Sequence, residues 1–87
     1  MKNLEDYTIL VAVINDNKLG GYFLEICNEN MEKLFVCDTV KLYADYVRLN
    51  RRYIDSTLWF AKEDVSLEIQ NKVQDEVLKY NDVFVKV

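Results

Sequence analysis

The alternation of apolar and polar positions predicts three strands in the first part of the chain. Residues 7–14 form a β-branched, apolar run, which fits a strand covered on both sides or the central strand of a small sheet. Residues 22–28 and 33–37 then alternate with the period of a strand. Residues 15–21 hold both glycines of the chain among Asn and Asp, a composition typical of hairpin turns. We therefore predict a β-hairpin over residues 7–28, followed by a third strand.

Apolar positions spaced three and four residues apart predict two helices in the second half. A first helix over about residues 39–51 has Asp38 and Thr39 as candidate N-caps. Its apolar face comprises Val40, Tyr43, Ala44 and Val47. A second helix over about residues 65–80 has Asp64 as its candidate N-cap. Its apolar residues recur every four positions, at Val65, Ile69, Val73 and Val77.

Two further segments have a less regular pattern. Residues 53–60 are compatible with a continued helix, or with a loop and a short strand around Leu58 to Phe60, and we favour a break near Asp55-Ser56. Residues 83–87 alternate like a terminal strand that joins the sheet as an edge or beside the first strand. An unpaired edge of alternating valines would be prone to associate with other chains.

These elements define the expected fold class. The predicted order is β-β-β-α-α-β, an α+β domain with a small, mostly antiparallel sheet and two helices packed on one face. With 87 residues, the chain is expected to form a single domain over residues 1–87. The pattern leaves the order of strands within the sheet open.

Composition excludes several kinds of chemistry. The chain has no His, which removes His-based triads and nearly every zinc site with a His ligand. The serines lack the setting of a nucleophile elbow, and neither a glycine-rich phosphate loop nor a D-x-D-x-D-G calcium loop occurs. We therefore expect a non-enzymatic protein without a metal or a cofactor.

The two cysteines bear on redox state and location. In the predicted register Cys27 opposes about Leu34 rather than Cys37, so two buried, reduced thiols are expected. The N-terminal residues do not have the pattern of a signal peptide, and the longest apolar run is far shorter than the roughly 20 residues of a membrane helix. These features predict a cytoplasmic protein that does not enter a membrane.

Charge is unevenly distributed along the chain. The net charge is −4, yet residues 39–62 carry a net charge of +3 between two acidic segments. All the arginines fall within five positions, at Arg48, Arg51 and Arg52. One interpretation is that they close the first helix, interact with its dipole and pair with acidic neighbours from the second helix. The other is a guanidinium patch for phosphate or carboxylate groups.

Aromatic residues surround the arginines. Arg beside Tyr or Trp is common where proteins stack on bases and at hot spots of protein interfaces. The candidate binding residues are therefore Arg48, Arg51, Arg52, Tyr46, Tyr53 and Trp59. The alternative for Trp59 is a place in the core together with Tyr43 and Phe60, whereas Tyr46 and Tyr53 are expected to be partly exposed.

Three functions remain compatible with the sequence. The first is a protein-binding module that blocks a partner's surface, the second is a nucleotide or RNA binder using the arginine patch, and the third is a homo-oligomeric accessory protein. The third would assemble through the edge at residues 83–87 or through an exposed helix face.

The first function also agrees with a general resemblance. In size, acidity and composition the chain is similar to small inhibitors that phages of low-GC bacteria direct at host defence systems, including anti-CRISPR proteins. This resemblance is one of overall character and involves no motif. It implies a steric inhibitor whose partner is a host protein, including one within a nucleic-acid-binding complex, and which can act as a homodimer.

Overall fold

The computed structural model describes residues 9–84, and it confirms the α+β class. The elements are β1 (Ile9–Asp16), β2 (Tyr22–Asn28), β3 (Lys33–Cys37), α1 (Val40–Leu49), β4 (Ser56–Ala61), α2 (Leu67–Lys79) and α3 (Asn81–Phe84). The predicted order was wrong in its second half, because a strand separates the two long helices and the short α3 follows α2. Residues 7 and 8 of the predicted first strand lie outside the described residues.

The four strands form one mixed sheet in the order β3-β2-β1-β4. β1 pairs antiparallel with β2, and β2 pairs antiparallel with β3. β4 pairs parallel with β1, from Ile9 opposite Ser56 to Ile14 opposite Ala61. Within residues 9–84 the sheet therefore ends in β3 on one side and in β4 on the other.

The predicted terminal strand is not formed where the structure describes it. Val83 and Phe84 belong to α3, and residues 85–87 lie outside the described residues. The Phe84 ring packs against Trp59 at a centroid distance of 5.3 Å and against Tyr43 at 5.7 Å. Burial of Val83 and aromatic packing of Phe84 thus account for two of the apolar residues that suggested strand alternation.

The first hairpin is confirmed, and its turn explains the local composition. The Asn17 side-chain oxygen accepts hydrogen bonds from the backbone N–H groups of Leu19 (2.8 Å) and Gly21 (3.0 Å). Gly20 has φ of 85° and Lys18 has φ of 65°. An Asn side chain that replaces backbone hydrogen bonds and a glycine at positive φ allow the chain to reverse here.

Each long helix begins at a side-chain cap. Thr39 accepts the backbone N–H of Leu42 at 3.2 Å, as the sequence predicted for α1. The predicted cap of α2 was wrong: Ser66 accepts the N–H of Ile69 at 3.2 Å, whereas Asp64 pairs with Lys18 at 3.1 Å. The first helical residue is Leu67, so Ser66 stands in the cap position and Asp64 lies two residues before it.

The hydrophobic core lies between the helices and one face of the sheet. Tyr43 of α1 is fully buried at its centre, and its hydroxyl forms a 2.8 Å hydrogen bond with Thr57 of β4. Trp59 packs against this core, but Phe60 is 54% exposed, so the prediction of Phe60 as a core residue was wrong. In the parallel register Phe60 lies beside Val13, on the sheet face that points away from the helices.

A buried tyrosine hydroxyl joins three elements. Tyr22 of β2 accepts the backbone N–H of Val40 at 2.8 Å and donates to the carboxylate of Glu76 on α2. Burial and the neighbouring Glu76 carboxylate raise the pKa of Tyr22, because both disfavour the phenolate. The hydroxyl therefore stays protonated and fixes the start of α1 and the flank of α2 to the sheet.

Tyr22→Phe is expected to destabilise the fold by about 1–3 kcal/mol, because it leaves the buried N–H of Val40 without this acceptor. In a domain of this size the loss lowers the melting temperature by roughly 4–24 °C. Thermal unfolding followed by circular dichroism measures it, with the exposed Tyr53→Phe as the matched control. Equal stability of the two variants would contradict the role of the Tyr22 hydroxyl.

Candidate functional site

The arginines lie where α1 ends. Arg48 occupies the last turn of α1, whereas Arg51 and Arg52 are exposed in the turn that follows it. Arg48 reaches Asp45 at 3.4 Å and Asp82 at 3.9 Å. Arg48 therefore closes the helix and pairs with acidic neighbours, as the first interpretation of the arginine cluster proposed, although Asp82 belongs to α3 rather than α2.

The other residues of this turn form a mixed apolar and basic surface. Leu49 is 85% exposed and Tyr53 is 39% exposed. We use the term arginine turn for Arg48, Leu49, Arg51, Arg52 and Tyr53. Because α1 stops at Leu49, Arg51 and Arg52 do not share a helix face with Arg48, which corrects the expectation of a longer helix.

The arginine turn is held in place by backbone hydrogen bonds. The carbonyl of Asn50 accepts the N–H groups of Tyr53 (2.9 Å) and Ile54 (3.2 Å). Ile54 is buried and anchors the end of the turn in the core. A turn fixed at both ends presents its side chains without a large loss of backbone entropy on binding.

The space beneath the turn is too small for a ligand. A cavity of about 10 Å³ lies between the turn, the start of β4 and α3, with Arg51, Ser56, Thr57 and Val83 among its lining residues. That volume holds about one water molecule. Anything larger that the arginine turn binds must therefore lie on its outer surface.

Two of the predicted site residues lie elsewhere. The Tyr46 ring is 4.5 Å from the Phe35 ring, and the Trp59 ring is 5.8 Å from the Tyr43 ring. Both side chains are half-buried against the core. The structure thus brings Tyr53 together with the arginines and places Tyr46 and Trp59 in packing positions.

A second exposed surface was not identified from the sequence. We call the sheet face that points away from the helices the outer face. One row across it runs from Val36 through Glu25 and Val13 to Phe60. Val36 and Leu58 are each 49% exposed on this face. The strand alternation indicated such a face, but the register that aligns these residues depends on the parallel position of β4.

Glu25 is held between two lysines on the outer face. Its carboxylate lies 2.9 Å from Lys33 and 3.1 Å from Lys62, and its side chain is 14% exposed. Hydrogen bonds from Lys33 and then Lys62 lower the pKa of Glu25 to about 2. The carboxylate is therefore charged at every physiological pH and tethers β2 to β3 and to the end of β4.

Glu25→Gln is expected to reduce stability at pH 7 by about 1 kcal/mol, a modest value because both lysines are largely exposed. A lowered folded-state pKa stabilises the fold above the ordinary value of 4.5, and that contribution is lost as the pH falls towards 2. Urea titrations at several pH values should show wild type and variant converging in acid. The exposed Glu63→Gln is the control, and a difference that does not change with pH would contradict this assignment.

The two thiols are buried and separate. The register sets Cys37 opposite Leu24 and Cys27 opposite Lys33, so they remain free cysteines, as predicted. Burial raises the pKa of both thiols and keeps them protonated. Since the thiolate is the reactive form, neither cysteine is set up as a nucleophile in this conformation.

Ellman's reagent is therefore expected to label Cys27 and Cys37 slowly in the folded protein and completely in denaturant, because reaction requires exposure and a thiolate. The rise in absorbance at increasing urea concentration should follow the unfolding transition. Immediate labelling of a thiol under native conditions would contradict their burial.

The described part of the chain offers neither a metal-binding cluster nor a membrane-spanning helix. No group of three or more Cys, Asp or Glu side chains among residues 9–84 is arranged to hold a metal ion. None of the helices within the same residues combines the length and apolar character needed to cross a membrane.

Comparison with known proteins gave no relative: no family model matches the chain, and no curated protein or solved structure matches it significantly.

Proposed function

We propose that this chain is a small, non-enzymatic protein-binding module that contacts a macromolecular partner through the arginine turn. The observation that carries the proposal is the exposure of Leu49 (85%) beside Tyr53, Arg51 and Arg52 on one rigid turn. A single exposed leucine is ordinary on a protein surface, and Leu19 is 89% exposed in the first hairpin, so the exposure of Leu49 counts only together with the residues around it. Arg and Tyr next to it are the residues most enriched at hot spots of protein interfaces.

The positive charge of the arginine turn indicates which kind of partner surface would complement it. Guanidinium groups pair well with carboxylates, because their planar N–H forks match both carboxylate oxygens. The surrounding segment carries a net charge of +3 on a chain with a net charge of −4. We infer a partner surface rich in Asp and Glu, with an apolar site for Leu49.

The proposed mechanism is steric. A typical specific interface takes about 800 Å² from each partner. The whole chain exposes 5870 Å², so one such interface would use roughly a seventh of its surface. Bound in this way, the domain would cover the working surface of its partner. The general similarity to small phage inhibitors of host defence supports an inhibitor of this kind, of phage or mobile-element origin and anti-CRISPR-like.

A nucleotide or short RNA is the second candidate. The exposed pair Arg51 and Arg52 can contact phosphates, and the neighbouring Tyr53 ring can stack on a base. The acidic remainder of the chain disfavours long duplexes, which attract a positive field. Binding of this type would weaken steeply with added salt, whereas a mixed apolar and ionic protein interface would depend on salt less.

A charge-reversal experiment tests the proposal. Arg51→Glu/Arg52→Glu is expected to weaken partner binding at least a hundredfold, because buried ion pairs become like-charge contacts. Lys72→Glu/Lys79→Glu makes the same change in net charge on exposed positions of α2 and should leave binding within about threefold of wild type. Affinity capture from a low-GC bacterial lysate, with and without nuclease, supplies the partner for the titration.

The outcomes separate the two candidates. A protein retained after nuclease treatment by wild type and the control, but lost with the arginine variant, supports the protein-binding function. Capture that disappears with nuclease supports the nucleic-acid candidate. Full binding by the arginine variant would remove the arginine turn from either function.

A further inference from the structure

The two edges of the sheet differ in how they resist pairing with another chain. β3 has five residues, starts with the charged Lys33, and is interrupted by a register shift at Ile26/Cys27 of its neighbour. β4 has six residues, Ser-Thr-Leu-Trp-Phe-Ala, without a charge, a proline or a break in register. Charges and bulges are the usual means of protecting an edge strand, and β4 has neither.

In β4, the backbone N–H and C=O groups of three residues point away from β1 and towards the free edge of the sheet. The N–H of Lys62 donates to the carbonyl of Ile14 at 3.1 Å, so the backbone of Lys62 points towards β1. Because consecutive residues of a strand alternate in direction, the N–H and C=O groups of Thr57, Trp59 and Ala61 point outward. Among residues 9–84, no strand pairs with this side of β4.

The side chains along this edge are apolar or uncharged on both faces of the sheet. Leu58 and Phe60 are exposed on the outer face, at 49% and 54%. On the helix side a groove of about 260 Å³ separates β4 from α2. Its lining is apolar at Ile14, Ala61, Val73 and Val77, and polar but uncharged at Gln70 and Gln74.

We propose that β4 pairs antiparallel with β4 of a second copy of this chain, which joins two four-stranded sheets into one sheet of eight strands. The two-fold axis passes beside Trp59, so that Trp59 faces its equivalent and Thr57 faces Ala61. All three outward residues of each copy then exchange hydrogen bonds with the partner. A register centred on Leu58 would pair the same length of β4 but would leave Ala61 without a partner inside the strand.

The complementarity of apolar side chains favours a second copy as the occupant. In this register Leu58 of one copy lies opposite Phe60 of the other, twice, on the outer face. Positions opposite each other in such a pair bring their side chains into contact. β4 itself carries no charge, so no like charges meet within the paired strands, and the exposed Asp55 and Glu63 come opposite each other only beyond its ends.

The area of the contact sets the expected affinity. A single pair of six-residue strands with its flanking side chains lies in the small class of interfaces, below about 1200 Å² in total. We therefore expect a reversible dimer with a dissociation constant in roughly the micromolar range.

The dimer would have a consequence for binding, although the inference does not rest on the proposed function. The arginine turn precedes β4, so the two copies of the turn lie at opposite ends of the paired strands. Tyr53 of the turn lies six residues before Trp59 at the axis. At about 3.3 Å per residue on each side, the two turns are on the order of 40 Å apart. A partner with two matching sites would be bound bivalently.

Charge substitutions that depend on the register test the pairing. Leu58→Lys/Phe60→Lys sets lysines opposite each other and is expected to raise the dissociation constant at least tenfold. Leu58→Lys/Phe60→Glu sets opposite charges together and should restore the dimer. Val36→Lys is the matched control, because Val36 lies in the same row as Phe60 with similar exposure, but on β3. Sedimentation equilibrium from about 1 µM to about 1 mM measures all four proteins.

Amide hydrogen exchange of the wild type gives a readout that does not depend on any variant folding. The N–H groups of Thr57, Trp59 and Ala61 should become protected as the concentration rises, while the N–H groups on the unpaired edge of β3 do not change. A wild type that remains monomeric at about 1 mM, or amides already protected in the monomer, would overturn the proposal. A dimer that persists in the double-lysine variant and is lost in Val36→Lys would also overturn it.

Discussion

The parallel pairing of β4 with β1 is the constraint on which the rest of the molecule depends. It brings Thr57 to the hydroxyl of the buried Tyr43, so the two halves of the chain share one core. It also makes the connection from α1 to β4 a short, fixed turn that carries the arginines. A parallel neighbour requires a crossover, and α1 supplies it on the helix-covered face.

The interior contains polar groups that hold the layers together. Tyr22 connects the sheet to the start of α1 and to Glu76 of α2, and Tyr43 connects α1 to β4. Burial keeps both phenols protonated, and their pKa values are raised for that reason. Each hydroxyl has a partner, so these anchors do not leave an unsatisfied polar group in the core.

Two surface features support the two proposals. Leu49 is exposed beside arginines on a turn fixed at its end by the buried Ile54, and β4 presents an uncharged edge with apolar side chains. We propose a different occupant for each: an acidic protein surface for the arginine turn and a second copy of the chain for β4. Because the turn precedes β4 in the chain, the two proposed contacts would not overlap.

Periodicity alone determined the hairpin, β3, α1 and α2, because each of these elements has an apolar pattern that matches the period of its own backbone. The arginine cluster could also be found in the sequence, because the charge of a residue does not depend on how the chain folds. Only the tertiary structure decided that residues 56–61 form the parallel edge strand and that Phe60 lies outside the core. The same is true of Val83, which is buried in α3. Short apolar segments fit either a strand or a helix locally, and long-range packing selects between the two.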